Sequence, residues 1–239
     1  MSPPERPDPG EHSFEDDLPP GRPEPVAQPQ RLGRWVGALV VLILVLILIN
    51  TIVTKPNGSS GVPPGRTLPP FAVPLALASL QGAADVATRP NEGNAGKVPA
   101  CELRGPQILN VCEQYEHAPL VLALFVDNGG CTGVLGKMQA LSTQFPGVHF
   151  AAVALRGSRA SLRSLVRKRG LTFPVGYDEE GTLAALYSVA TCPQLSFALP
   201  GGVVHSRALL EDPSPATLRK RVEALVAAAV AGGRREPGG

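Results

Sequence analysis

Four cysteines, Cys101, Cys112, Cys131 and Cys192, carry most of the chemistry open to this sequence. Cys131 has the most informative surroundings. It lies within Pro119 to Leu141, PLVLALFVDNGGCTGVLGKMQAL, where an apolar run from Leu120 to Val126 ends in the polar turn Asp127-Asn128-Gly129-Gly130. Beyond the cysteine, Leu135, Met138 and Leu141 recur at helical spacing. The pattern predicts a buried strand feeding a turn that presents Cys131 at a helix start. The free N–H groups and positive dipole end of a helix N-terminus stabilise a thiolate and lower a thiol's pKa. The competing reading is a small cysteine that only packs.

Other chemistries find less support. The cysteine spacing lacks Cys-x-x-Cys and no pair of histidines stands near it, so no metal is expected; His117 and His149 read as surface or strand residues. There is no Gly-x-Ser-x-Gly elbow for a serine hydrolase, no phosphate-cradling loop with its lysine and no Cys-x-x-Cys-His for haem. No cofactor is therefore expected. The formal net charge of +2 over 239 residues leaves no nucleic-acid footprint.

The elements that must position Cys131 alternate along the chain. Phe71 to Leu80 reads as a first strand, and residues 86–118 as irregular apart from a short helix over Gln107 to Tyr115. A strand from Leu120 to Val126 precedes a helix from Thr132 to Phe145, and Val148 to Leu155 is a further strand. Ser158 is placed to N-cap a helix that runs to Arg169 and is closed by Gly170. Leu162, Leu165 and Val166 mark its inner face; its basic residues read as a solvated one. A strand over Phe173 to Gly176 and a short helix over Thr182 to Tyr187 follow. Leu195 to Leu199 and Val203 to Ser206 flank Pro200-Gly201-Gly202 as a hairpin. A last helix starts at Ser214-Pro215, with Leu218, Val222, Leu225 and Ala229 on one side. This order predicts an α/β domain with a mixed central sheet flanked by helices.

Upstream, the composition changes twice. Residues 1–30 are rich in Pro and acidic residues, lack apolar periodicity and read as a disordered tail. Residues 35–53, WVGALVVLILVLILINTIV, carry no charge. About 19 residues at helical rise span roughly 28 Å, close to a bilayer core, which predicts a single transmembrane helix. Arg22, Arg31 and Arg34 precede it while Lys55 and Arg66 follow, a bias that favours a cytoplasmic N-terminus. Residues 54–70 read as a Gly/Pro/Ser linker, 71–231 as the folded domain and 232–239 as a flexible tail.

From Leu68 to Val230 the chain resembles the thioredoxin fold, and within it the membrane-anchored TlpA-type thiol–disulfide oxidoreductases and related redoxins. LPPFAVPLAL resembles that family's opening strand, and LVLALFVDNGGCTGV its strand and active-site turn. FPVGYDEEGTLAALYSVATCPQLSFALPGGVV resembles the segment that carries the family's cis-proline, here Pro193. The resemblance departs at the site. The family's Trp-Cys-x-x-Cys is here Gly130-Cys131-Thr132-Gly133-Val134, so the second cysteine of the turn is missing.

The resemblance implies a substitute. The residue before the cis-proline faces the active-site sulfur in this fold, which places Cys192 against Cys131. In the redox reading, Cys131 attacks a substrate disulfide, Cys192 resolves the mixed disulfide and Pro193 shapes the substrate groove. With that placement Cys101 and Cys112 are left for each other, as a structural disulfide or as a second couple relaying electrons. The partners implied are thiols or disulfides of exported proteins, an electron-donor protein and the membrane. An even cysteine count with plausible pairings fits an oxidising compartment, which puts residues 54–239 outside the cell membrane. Two alternatives stand beside this reading. One is a redox-inactive binding scaffold on the same fold. The other is a peroxiredoxin-like peroxidase, disfavoured because Asn128 stands where that family has Thr or Ser, and Pro193 near where it has Arg.

Overall fold

A computed structural model describes residues 30–53, 61–93 and 96–233, with the side chains of the first helix described over 35–47. The chain divides into two units, Met1–Thr54 and Lys55–Gly239. Of the tails expected over 1–30 and 232–239, residues 1–29 and 234–239 lie outside the described part, while Gln30 opens a helix and Gly232 and Gly233 end one.

The first unit contains helix α1, Gln30–Val53, which covers the expected apolar span. The side chains of residues 35–47 are all exposed. Among the described residues, no helix is long and apolar enough to cross a membrane; the side chains of 48–53 lie outside that set.

In the second unit, β3 (Leu120–Phe125) is the centre of a five-stranded sheet of order β5-β4-β3-β6-β7. Its neighbours β4 (His149–Leu155) and, beyond that, β5 (Val175–Asp178) run parallel. On the other side β6 (Gln194–Ala198) and β7 (Val204–Leu209) run antiparallel. A mixed sheet results, as expected. Alternation along β3 explains its unbroken apolar run. Val121, Ala123 and Phe125 enter one core cluster, while Leu120, Leu122 and Leu124 enter another. A central strand covered on both faces has no polar side to show.

The first cluster is roofed by α3 (Gly133–Ser142), α4 (Arg159–Arg169) and α6 (Pro215–Gly233), through Leu135, Met138, Leu162, Val166, Leu218 and Val222. Helix α4 forms as its sequence predicts: Ser158 Oγ accepts from the Ser161 N–H, and Gly170 closes the helix at φ 57°. The second cluster is covered by α5 (Thr182–Leu186) and by the segment that precedes β3.

That earlier segment departs most from expectation. Only Ala72–Pro74, β1, is a strand. It pairs antiparallel with β2, Ile108–Asn110, apart from the central sheet. The chain then turns, because Gln107 Oε1 accepts from the Ser79 and Leu80 N–H groups and the Ser79 hydroxyl. Arg159 and Arg163 of α4 donate to the carbonyls of Leu75, Ala76, Ala78 and Leu80. The helix expected over Gln107 to Tyr115 is split. Asn110 ends β2 and its side chain caps α2, Val111–Tyr115. Residues 61–70, read as linker, join the fold: Val62 and Leu68 are buried, and Gly65, Arg66 and Leu68 hydrogen-bond to the β7 hairpin.

Candidate functional site

The site forms where β3 ends. Six buried apolar residues run straight into Val126-Asp127-Asn128, and a 3₁₀ turn, Gly129–Thr132, precedes α3. Cys131 therefore sits in this turn, two residues before Gly133 opens the α-helix, one residue later than the expected start at Thr132. The turn is held locally by the Asn128 N–H on the Val126 carbonyl at 2.7 Å and the Cys131 N–H on the Asn128 carbonyl at 3.0 Å. Neither Asn128 nor Thr132 makes a side-chain cap.

The second cysteine arrives from the neighbouring strand. Leu124 of β3 pairs with Gln194 of β6, so the residues just before Gln194 come up beside the end of β3. Those residues are Cys192 and Pro193. The peptide bond between them is cis, and Pro193 is buried. Cys131 and Cys192 are joined as a disulfide across a sequence separation of 61, with Cα atoms 5.3 Å apart. Both are only partly buried. The Val126 N–H donates to Cys192 Sγ at 3.1 Å. A backbone donor aimed at this sulfur stabilises negative charge on it when the disulfide opens.

Val134, three residues after Cys131, is fully buried among the core residues of α3. The position that carries the second cysteine of the resembled motif thus belongs to the core in this chain. The pair that can do chemistry is set between two elements.

Three charged side chains border the turn, and sequence reading missed them as site residues. Arg169, the last residue of α4, donates through Nη1 to the Thr132 carbonyl and through Nη2 to Thr132 Oγ1 at 2.9 Å. Lys137 of α3 pairs with Asp212 at 2.7 Å and donates to the Pro213 carbonyl at 2.7 Å. A Cβ on Gly133 would stand 2.7 Å from Asp212 Oδ2, so glycine there lets the loop before α6 approach. These contacts bridge residues far apart in sequence, and no local pattern announces them.

The remaining cysteines form a second disulfide, Cys101–Cys112, with Cα atoms 5.4 Å apart. Its surroundings are those of a structural tie. The buried Asn110 side chain donates to the Ala100 and Leu103 carbonyls at 2.9 Å each and accepts from the Cys112 N–H at 2.9 Å. The Tyr115 hydroxyl donates to Cys112 Sγ at 3.4 Å. Cys101 and Cys112 pack with the core cluster on one face of the sheet and Cys192 with the cluster on the other. The sheet stands between the pairs, so the fold gives no direct route for exchange between them. Of the two histidines weighed as ligands, His149 Nδ1 lies 2.7 Å from the Gln114 carbonyl and His117 is exposed, and neither meets the cysteines.

No protein-family model and no curated protein sequence matches the chain. Solved structures do share its fold. One is a protein provisionally assigned as the thiol:disulfide interchange protein DsbE of Chlorobium tepidum, at 15% identity and TM-score 0.52, over 69% of this chain and 98% of that one. An uncharacterized conserved protein of Geobacillus kaustophilus matches at 17% identity and TM-score 0.53, over 71% and 86%. A hypothetical protein, SMc02350, of Sinorhizobium meliloti matches at 14% identity and TM-score 0.52, over 71% and 88%. The second unit has a thioredoxin-like α/β fold.

Proposed function

We propose that this chain is a membrane-anchored, extracytoplasmic thiol–disulfide oxidoreductase that acts on exported proteins through Cys131 and Cys192. The observation that carries the reading is the partly exposed Cys131–Cys192 disulfide at the end of the central strand. The DsbE-assigned neighbour on the same fold adds support. The uncharged exposed side chains of 35–47 support the anchor, and the four disulfide-bonded cysteines support an oxidising compartment.

The chemistry is exchange. A substrate thiolate attacks Cys131 Sγ, the new S–S bond forms there, and Cys192 leaves as a thiolate facing the Val126 N–H. A second substrate thiolate then attacks the substrate sulfur of the mixed disulfide. The substrate leaves oxidised, its two electrons remain on the Cys131 and Cys192 thiols, and solvent balances the protons. Run in reverse, the Cys131 thiolate reduces a substrate disulfide, Cys192 resolves the intermediate, and an electron-donor protein restores the dithiol. Pro193, the residue after Cys192, is buried; in this reading it shapes the groove that takes the substrate segment.

The test is disulfide mapping of the purified protein by alkylation and mass spectrometry, before and after mild reduction. Cys131–Cys192 is expected to open first, with Cys131 alkylating fastest. The Cys192→Ser variant is expected to accumulate a mixed disulfide between Cys131 and a substrate thiol. A Cys131–Cys192 link that resists mild reduction, with no trapped adduct in the variant, would replace this reading with a redox-inactive binding scaffold.

A further inference from the structure

The turn that carries Cys131 is rich in glycine and is closed by two backbone hydrogen bonds. Gly129, Gly130 and Gly133 surround the cysteine, and glycine loses more chain freedom on ordering than any other residue. Neither Asn128 nor Thr132 makes a side-chain cap hydrogen bond, and a Cβ on Gly130 would touch nothing within 4 Å. The disulfide fastens this turn to the strand side of the site, and that tie vanishes each time the pair is reduced.

We propose that Arg169 is a positioning residue that keeps Cys131 in register with Cys192 while their disulfide is open; this deepens, and rests on, the redox reading of the pair. Its guanidinium reaches from the end of α4 to Thr132, the residue after Cys131, and grips both carbonyl and hydroxyl. The planar fork suits two acceptors at once. The helix it comes from is firmly seated. Leu162 and Val166 are buried, Ser158 caps its start, and the N–H groups of Gly170 and Leu171 bind back to Arg167 and Val166. Basic residues in a last helical turn are explained in general by the helix dipole, and Arg167 and Lys168 need no more than that. Arg169 does more, because its two donors end on a different element 37 residues away.

The consequence lies in the strength of the disulfide. An intramolecular disulfide is as stable as the effective concentration of one thiol at the other. A loosened turn lowers that concentration, so loss of the Arg169 grip weakens the bond. A pure charge effect has the opposite sign: removing a cation beside a thiolate destabilises the reduced form and strengthens the bond.

The experiment equilibrates the full-length protein, and its Arg169→Met and Arg169→Lys variants, with reduced and oxidised glutathione. Two glutathione thiols become one glutathione disulfide, and their two electrons and two protons convert the protein disulfide into two thiols. The equilibrium constant for forming Cys131–Cys192 is expected to fall about tenfold in Arg169→Met, or about 30 mV. Arg169→Lys, which keeps one donor, is expected to recover part of the loss. The Cys101–Cys112 population is expected not to move. In phosphine-reduced protein, amide hydrogen exchange over residues 129–136 is expected to rise in Arg169→Met. An unchanged or raised constant in Arg169→Met would overturn the proposal, as would an equal loss at both disulfides. If the wild-type pair never equilibrates with glutathione, the redox reading fails and hydrogen exchange decides the role of Arg169: a rise upholds its hold on the turn, and no change removes it.

Discussion

Tyr187 is wholly buried, packs edge-on to Phe71 with ring centroids 5.7 Å apart, and donates its hydroxyl to the Pro69 carbonyl at 2.6 Å. Its own carbonyl accepts from Gln194 Nε2 at 3.1 Å, one residue beyond Pro193. One residue thus links the entry to the domain, through its side chain, with the strand that follows Pro193, through its backbone carbonyl. Burial, with a smaller contribution from Tyr115, pushes the Tyr187 phenol well above the usual tyrosine range. The folded state therefore keeps this proton where the unfolded chain loses it, above pH of about 10. Stability from this group is complete below that pH and falls by about 1.4 kcal/mol per pH unit until the folded-state pKa is reached. Denaturant titrations between pH 8 and 11 are expected to show a shallower alkaline loss in Tyr187→Phe than in the wild-type chain. At neutral pH the same variant is expected to lose about 1 kcal/mol with its hydrogen bond.

At the scale of elements, the two-stranded layer β1–β2 lies across β5 only because position 176 is glycine. A Cβ there would run into Val73 Cγ2 and would stand 3.0 Å from Leu109 Cδ2 and 3.4 Å from Val153 Cγ2. Gly176→Ala is expected to cost about 1–3 kcal/mol by overpacking, read as a lowered denaturant midpoint. This contact also marks what sequence reading can reach. Strands β3 and β4 were legible because central strands covered on both faces are uniformly apolar. Helix α4 was legible because Ser158 and Gly170 bound it chemically. Strands β1 and β2 are three residues each, and their pairing, Ala72 with Asn110, is settled by a partner far along the chain. The apolar run from Phe71 to Leu80 gave no sign that Gln107 and two arginines of α4 would bend it. The candidate site was legible in the same uneven way. The turn at Cys131 announced itself by pattern, whereas the nearness of Cys192 came from resemblance to a fold. Arg169, Lys137 and Asp212 had no local signature, because each acts across elements.

For the whole molecule, the two disulfides close loops of very different size. In the chain-entropy account, a sequence separation of 11 for Cys101–Cys112 is worth about 3 kcal/mol, and one of 61 for Cys131–Cys192 about 4 kcal/mol. A working redox cycle would thus swing the stability of the whole domain. Scanning fluorimetry of Cys131→Ala/Cys192→Ala against the oxidised wild-type chain is expected to show a melting temperature lower by roughly 8–16 °C. A shift near zero would mean that the bond removes no freedom from the unfolded chain. The placement of the pair on two segments has a mechanical side as well. With both cysteines in one turn, closing the bond would shorten a stretched chain by almost nothing. Here the 61-residue separation between the bonded cysteines represents roughly 200 Å of extended chain. Pulled from its ends, the oxidised molecule withholds that length and the reduced one releases it, so the electron count at one bond sets how far the polypeptide can reach.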